Sequence, residues 1–428
     1  MQRATRVNCC LIRYAEVGIK SDQTRAAWLK RLRRNAETCL HWNDVPFSRI
    51  VITQGRLIAY TDDQRAPDLL SRVFGVSSAS PARELPLDLD VMKDEAKRLF
   101  RQHGPSSFRI TTQRVTKKYP LTSQQINAAI GEAVYDIGGT VDLKNCELDI
   151  RFEIIHDSSY VFTNVVRGVG GLPLGVQRTA CAVIRTMRDI VAAWLFMRRG
   201  GMLELIVLDG PRATGYIDIL MDASCSGLRV QLVPDDASMR LALESQAQRG
   251  QEVVVSADPL GNDAGLVELC PCETYSDAMI ERTMEHAGLR EPPALEHHLI
   301  SAGGIVYHGE DILLIRRKDE GTWIPPKGGV DPNEFFREAA LREIREETGL
   351  ADVEAGRFIG KTRYSFARLG TTYTKDVYYY ACQTGDTNVK LEHLFDDYVF
   401  LPYEAALELA SFENDRRIMR QAARILRA

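Results

Sequence analysis

The sequence predicts several domains of α/β and α+β class joined in series, and three observations predict it. At 428 residues the chain exceeds what one hydrophobic core organises. Residues 176–290 alternate short apolar runs with helical stretches, the pattern of a parallel sheet with crossover helices. Residues 301–350 follow another order: two strands around a turn, then a helix dense in carboxylates. The boundaries drawn are 1–80, 81–174, 175–290 and 297–428. The Pro292-Pro293 pair after His286-Ala287-Gly288 marks the last of them.

Composition excludes several classes. Hydrophobic content of 45% and charge of 26% are ordinary for a globular protein. No apolar run is long enough to span a bilayer, and the opening MQRATRVNCCLIRYAE lacks the apolar core of a signal peptide. The expectation is a cytoplasmic protein without membrane contact. Nine cysteines include no C-x-x-C, and Cys270-Pro271-Cys272 is too tight for a usual zinc pair, so reduced thiols are expected. Residues 1–175 carry 25 Lys+Arg against 19 Asp+Glu, a net +6, and the remainder 29 against 39, a net −10. A basic N-terminal part suggests a polyanionic partner there.

Within that part, Arg13 to Ser21 reads as a strand and loop. Phe108 to Asn127 reads as a strand, a basic loop and a helix that Thr122 or Ser123 can cap. Arg167 to Gln177 is a glycine-rich hinge, and Phe74-Gly75-Val76-Ser77-Ser78 closes an earlier segment. These motifs, in this order, resemble the N-terminal half of the tRNA 4-thiouridine synthase family. There a strand of this kind precedes R-S-D-K-x-F-P-L-T-S-Q-E. The resemblance implies a ferredoxin-like subdomain followed by a THUMP domain, which binds RNA, typically tRNA near its 3′ end. It makes Arg109, Arg114, Lys117, Lys118 and Arg167 candidates for phosphate contact. Such contacts position RNA without reading its sequence. For each residue a solvated surface charge is the alternative.

In the same family the hinge leads to a pyrophosphatase loop, S-G-G-x-D-S, and a helix. Val191 to Gly200 resembles that helix, with Ile184-Arg185-Thr186-Met187-Arg188-Asp189 before it. A phosphate cradle needs small residues so that backbone N–H groups can approach the anion. Arg185, Met187 and Arg188 are expected to fill that space. The segment therefore reads as a degenerate PP-loop domain, Rossmann-like, that serves as a spacer and performs no ATP-dependent step. Its strands are expected at 203–208, 228–233 and 252–256.

The C-terminal part carries the chemistry. Ser301–Tyr307 and Ile312–Ile315 read as strands around the turn His308-Gly309-Glu310-Asp311. Lys361–Phe366 and Thr374–Tyr380 read as a second pair. Tyr403 to Ala428 has helical periodicity through Ala406, Leu407, Leu409, Ile418, Ala422, Ile425 and Leu426. On a helix, Glu343, Glu346 and Glu347 share one face. Three carboxylates so close repel one another unless a hard cation sits among them, and Mg²⁺ or Mn²⁺ suits oxygen ligands of this kind. Arg342 is placed to pair with Glu334. Gly328 lets the loop backbone approach the metal, and Gly349 suits the helix end.

The spacing from Gly328 through Glu334 and Arg342-Glu343-Ile344 to Glu346-Glu347 and Gly349-Leu350 resembles the Nudix box. The resemblance implies an α/β/α sandwich and a metal-dependent hydrolase of nucleoside diphosphates linked to another group. Trp323-Ile324-Pro325-Pro326-Lys327-Gly328-Gly329 resembles the W-x-x-P-K-G-G lead-in of the branch acting on dinucleoside polyphosphates, inositol pyrophosphates and RNA 5′ ends. It makes Lys327 a candidate phosphate contact, with Arg316 and Arg317 for the remaining phosphates. Tyr364 or Tyr378 can stack on a base, or each is a core or edge aromatic. Glu392 is a candidate further metal ligand or general base, with Asp396 and Asp397 as substitutes.

The expectation is a Mg²⁺- or Mn²⁺-dependent pyrophosphohydrolase targeted to RNA, tRNA in particular. Two other readings stand beside it. One is a hydrolase of free dinucleoside polyphosphates with a relic RNA-binding half. The other is a tRNA-binding factor without catalysis.

Overall fold

Strand Val76–Pro86 is long enough to serve two sheets, and it buries Val76, Ala79, Ser80, Ala82 and Leu85 along its length. The computed structural model describes residues 8–14, 16–19, 21–104, 107–368 and 370–427. Ala15 and Lys20 of the opening loop lie outside the described residues, as do the side chains of Ile425 and Leu426. The chain divides into two compact units, Met1–Arg178 with Met197–Gly201, and Thr179–Phe196 with Met202–Ala428.

In the first unit, Val76–Pro86 pairs antiparallel with Cys9–Tyr14 through its first half and with Ser158–Phe162 through its second. Arg56–Tyr60 and Arg49–Thr53 extend the sheet on one side. Leu148–Ile155, Ser107–Arg114 and Thr140–Val141 extend it on the other. The strand that begins at Val76 runs across the boundary drawn at residue 80 and joins the two sheets. Helices Leu89–His103 and Ser123–Tyr135 pack on that second sheet over Met92, Phe100, Phe108, Ile126, Ile130 and Phe152. Each such side chain contributes about 1.5–3 kcal/mol on burial. Of the two candidate caps, Thr122 caps Ser123–Tyr135, in a reciprocal box with Gln125. The hinge glycines are needed: a Cβ at Gly171, whose φ is +80°, would meet the Arg198 carbonyl oxygen at 2.2 Å.

The second unit begins with a parallel sheet in the order Arg229–Val233, Met202–Leu208, Thr179–Ile184, Val253–Val255, Val267–Leu269. In chain order this is 3-2-1-4-5, a doubly wound Rossmann-like arrangement with its switch point between the first and fourth strands. The helices are Met187–Arg198, Ala213–Ser224, Asp236–Gln248 and Asp277–Ala287. Two strands escaped the sequence reading, Thr179–Ile184 and Val267–Leu269. The latter is short, with its side chains exposed or half-buried, so it carries little pattern.

A mixed sheet follows. His298–His308 pairs parallel with Thr371–Gln383, which pairs antiparallel with Glu354–Arg368. Asp311–Arg317, Trp323–Ile324, Lys327–Gly329 and Phe395–Pro402 complete it. Helix Phe336–Thr348 covers one face, where Phe336 meets Tyr378 at 4.6 Å. Helix Glu413–Arg427 covers the other, where Ile418, Met419 and Ala422 join Tyr379 and Ile305. Adjacent residues of one strand thus face opposite helices, which is the alternation a sandwich requires. No helix among the described residues is long and apolar enough to cross a membrane, and all nine cysteines are free.

Candidate active site

Helix Phe336–Thr348 is built from strong helix formers and buries Phe336, Ala339, Ala340 and Ile344 against the sheet. Its opposite edge carries the charges. It ends at Gly349, φ +69°, a left-handed cap whose N–H donates to the Arg345 carbonyl. Strand Lys327–Gly329 runs beside Ser301–Gly303 and brings the loop backbone against the helix. The approach is close enough to require glycine: a Cβ at Gly328 would fall 1.8 Å from Glu343 Oε2.

Arg342 organises the carboxylates. Its Nε and Nη2 donate to Glu334 at 3.0 and 2.8 Å, and Nη2 also reaches the Gly329 carbonyl at 2.8 Å. Its Nη1 donates to Glu343 at 2.7 Å and to Glu346 at 3.0 Å. The hydrogen bonds that Arg342 donates to Glu334 foremost, and to Glu343, raise the guanidinium pKa above its usual value, with burial opposing. Glu347 is 7% exposed and accepts the Lys327 backbone N–H at 2.8 Å. Burial pushes its carboxyl up to about 8, with Lys327 opposing. Burial also raises Glu343, and Arg342 opposes that shift. The backbone N–H of Glu392 donates to the Glu347 carbonyl at 3.1 Å, which sets this glutamate beside the group.

Among the described residues no three His, Cys, Asp or Glu side chains converge as ion ligands; Arg342 stands among Glu334, Glu343 and Glu346 instead. The donor set nevertheless fits a hard divalent ion. It consists of carboxylates beside a backbone cradle that only glycine permits, and burial disfavours the charged form of two of them, which a bound cation would restore.

The predicted substrate residues divide. Lys327 and Arg317 lie within electrostatic reach of Glu347. Arg317 also holds Asp319 at 3.0 Å. Arg316 is engaged by both oxygens of Asp396, at 2.8 and 2.9 Å, and lies 5.9 Å over Trp323. That commits Asp396 to Arg316. Tyr364 is half-buried beside Phe366. Tyr378 does not stack on a ligand. It is fully buried between Phe336 and Phe358, so neither ring face is open; the alternation of its strand turns it into the core.

Sequence reasoning missed Lys375. It is half-buried, and burial foremost, with Lys327 next, lowers its ammonium to about 8 while Glu347 and Glu343 oppose. A lysine-aspartate pair inside an apolar strand was the available signal. Asp376, its neighbour, faces the other way. Asp376 is 0% exposed and accepts from Arg363 at 2.7 and 2.7 Å and from His298 at 3.1 Å. Lys361 links this group to Asp218 of the parallel-sheet part at 2.5 Å.

In the segment 184–189 of the parallel-sheet part, a residue not singled out from the sequence engages the backbone. Asp189, 1% exposed, accepts the backbone N–H groups of Arg185 and Thr186, both at 3.0 Å, and of Ala257 at 3.0 Å. These donors sit at the ends of the first and fourth strands, the switch point where such sheets bind ligands. A carboxylate of the chain itself thus satisfies these amides, while the Arg188 guanidinium donates to the Cys272 and Tyr275 carbonyls.

In the first unit, Lys117, Lys118 and Arg167 are exposed. Arg109 is held by Asp149 at 2.7 Å. Arg114 donates to the Lys117 and Tyr119 carbonyls at 2.7 and 2.9 Å, so it shapes the basic loop rather than presenting its charge outward. Glu153, 3% exposed, is gripped by Arg13 and Arg56, each at 2.7 Å.

Comparison with known proteins agrees with this geometry. Family models match as a ThiI ferredoxin-like domain at residues 9–80, a THUMP domain at 87–164 and a NUDIX domain at 297–422. A probable tRNA sulfurtransferase of Thermococcus kodakarensis is 34% identical over 202 residues, 45% of this chain and 53% of that protein. The chain spans about half the length of the curated relatives it matches. A crystal structure of a protein from Pyrococcus horikoshii Ot3 superposes with a TM-score of 0.58 at 27% identity, covering 66% of this chain and 100% of that one. A 4-thiouridine synthetase, solved as an RNA complex with bound ATP, gives 0.51 at 19% identity over 65% of this chain and 85% of its own, a likeness of fold. The chain is a fusion in which a ThiI ferredoxin-like domain and a THUMP domain precede a C-terminal NUDIX domain.

Proposed function

We propose that this chain is a divalent-metal-dependent pyrophosphohydrolase whose N-terminal half brings it to RNA, tRNA in particular. The observation that carries the catalytic reading is the carboxylate helix with its Gly328 cradle and the Arg342–Glu334 pair. Mg²⁺ or Mn²⁺ held by Glu343, Glu346, Glu347 and the Gly328 carbonyl would neutralise a diphosphate and lower the pKa of a bound water. Arg342 keeps the loop and the helix in register. Lys327, Lys375 and Arg317 supply positive charge on the Glu347 side, suited to the diphosphate oxygens. Glu392, whose charge bears on Glu347, would accept a proton there or add a ligand. Tyr364 is the aromatic left for base stacking.

The RNA half of the reading rests on the THUMP match and on the +6 charge of residues 1–175. Lys117, Lys118 and Arg167 are its proposed phosphate contacts. The middle domain is proposed to be a degenerate PP-loop domain without ATP chemistry, because Asp189 already satisfies the amides an ATP phosphate would use. The deciding experiment is hydrolysis of capped RNAs, triphosphate-ended RNAs and dinucleoside polyphosphates, each with and without tRNA and with and without EDTA. Turnover in EDTA rejects the mechanism. Turnover of free dinucleoside polyphosphates unaffected by tRNA favours the free-nucleotide hydrolase.

A further inference from the structure

The outer edge of the parallel sheet is not open to solvent. Its edge strand, Arg229–Val233, takes the loop that leads into the carboxylate helix. The Asn333 N–H donates to the Leu232 carbonyl at 3.0 Å, and Gln231 Nε2 donates to the Asn333 carbonyl at 2.8 Å. Gln231 and Phe335 form an isolated antiparallel bridge. The Phe335 ring, 3% exposed, is covered by the guanidinium of Arg229 at 4.0 Å and that of Arg249 at 5.1 Å. Arg229 also holds Glu338, in the first turn of the helix, at 2.8 Å.

The residue between Asn333 and Phe335 is Glu334, which fixes Arg342. Asn333 has φ +68°, a left-handed conformation that asparagine adopts more readily than other non-glycine residues, and its backbone is held there on both sides. The partners are the Leu232 carbonyl and the Gln231 amide. A continuous path therefore runs from Gln231 to Asn333, through Glu334 and Arg342, to Glu343 and Glu346.

We propose that the middle domain is a working part of the hydrolase: its edge strand, through Gln231 and Arg229, sets the loop that positions Glu334 and hence the metal-binding carboxylates. Gln231 and Arg229 are positioning residues. This rests on the reading of the NUDIX site as metal-dependent. A domain that had lost its own chemistry would thereby be kept as the support of another.

The test uses the full chain and Mn²⁺ alone as probe. Mn²⁺ affinity is measured by calorimetry on wild type, Gln231→Met, Arg229→Ala and Asp218→Asn, with melting temperatures alongside. Gln231→Met keeps volume and removes the amide that bonds the Asn333 carbonyl. Asp218→Asn weakens a different contact between the same two domains, at Lys361, away from the loop. The expected result is a loss of about tenfold in Mn²⁺ affinity for the first two variants, the scale of outer-shell changes at metal sites. Asp218→Asn is expected to lower the melting temperature with affinity unchanged. Equal affinity in all four proteins overturns the proposal, as does a loss in Asp218→Asn that matches the others. The proposed hydrolysis is judged separately: a wild type that binds Mn²⁺ but turns over no diphosphate rejects that reading, while the affinity series still decides the positioning role.

Discussion

Arg363 grips Asp376 with both prongs of its guanidinium, Nε to Oδ1 and Nη2 to Oδ2, each at 2.7 Å, at a carboxylate with no solvent exposure. Burial opposes ionisation there, yet hydrogen bonds from Arg363 and His298 hold the carboxyl well below the usual carboxylate range. Asp376→Asn leaves Arg363 short of its counter-charge and is expected to cost about 3 kcal/mol at neutral pH.

The sign of the pH dependence follows. A carboxyl depressed in the folded state stabilises fully above the unfolded value of about 3.9, and that contribution is lost as pH falls through the folded value. Urea unfolding of wild type and Asp376→Asn should therefore differ fully at pH 7 and pH 5, and the difference should begin to shrink only as pH falls below about 3.9, towards the depressed folded value. A difference that stays constant with pH would show that the pair contributes by packing alone.

Glu347 has the opposite shift. Its carboxyl is raised to about 8 by burial, so in the ion-free protein its ionisation destabilises the fold as pH rises from the unfolded value towards 8. Glu347→Gln is expected to melt a few degrees higher than wild type in EDTA at pH 8, on the order expected for about 1 kcal/mol. Addition of Mg²⁺ should raise the wild-type melting temperature more than that of the variant. Turnover should fall about 100-fold in Glu347→Gln or Glu346→Gln, with folding retained.

At the switch point, Asp189→Ala removes the acceptor of three backbone N–H groups. The expected cost is about 3 kcal/mol, since each buried donor left unpaired is expensive. In the intact chain ATP is expected to leave the melting temperature unchanged and to yield no AMP. A clear thermal shift with ATP that maps to residues 184–189 would reinstate a nucleotide site there.

For RNA, the useful variant is Lys117→Glu with Lys118→Glu, because Arg114 is engaged with loop carbonyls and its reversal would disturb the loop itself. Anisotropy titrations against tRNA and an unrelated duplex should weaken alike. The slope of log affinity against log salt should shrink by about one for each phosphate no longer neutralised. Hydrolysis of a small diphosphate substrate should be unchanged. Binding that is untouched at low salt would remove these lysines from the interface.

The loop that brings Gly328 and Glu334 to Arg342 and Glu343 is held by other strands, but Arg342, Glu343, Glu346 and Glu347 lie within one helix, so local periodicity determined that they share its charged side. The same holds for the cap at Thr122 and the turn at Gly309, where a few neighbouring residues settle the geometry. Tyr378 was ambiguous because a strand residue faces the core or a ligand according to which helix covers its side, and that helix begins some forty residues earlier. Asp189 was legible as a helix-start carboxylate, but its third amide, from Ala257, arrives only when the first and fourth strands lie side by side. Lys375 and Gln231 carry no motif: one acquires its neighbours through sheet register, the other through a loop that closes the edge of a different sheet. Interactions fixed by one helical turn can be read along the chain, whereas pairings between distant strands depend on register and packing that short-range pattern does not encode.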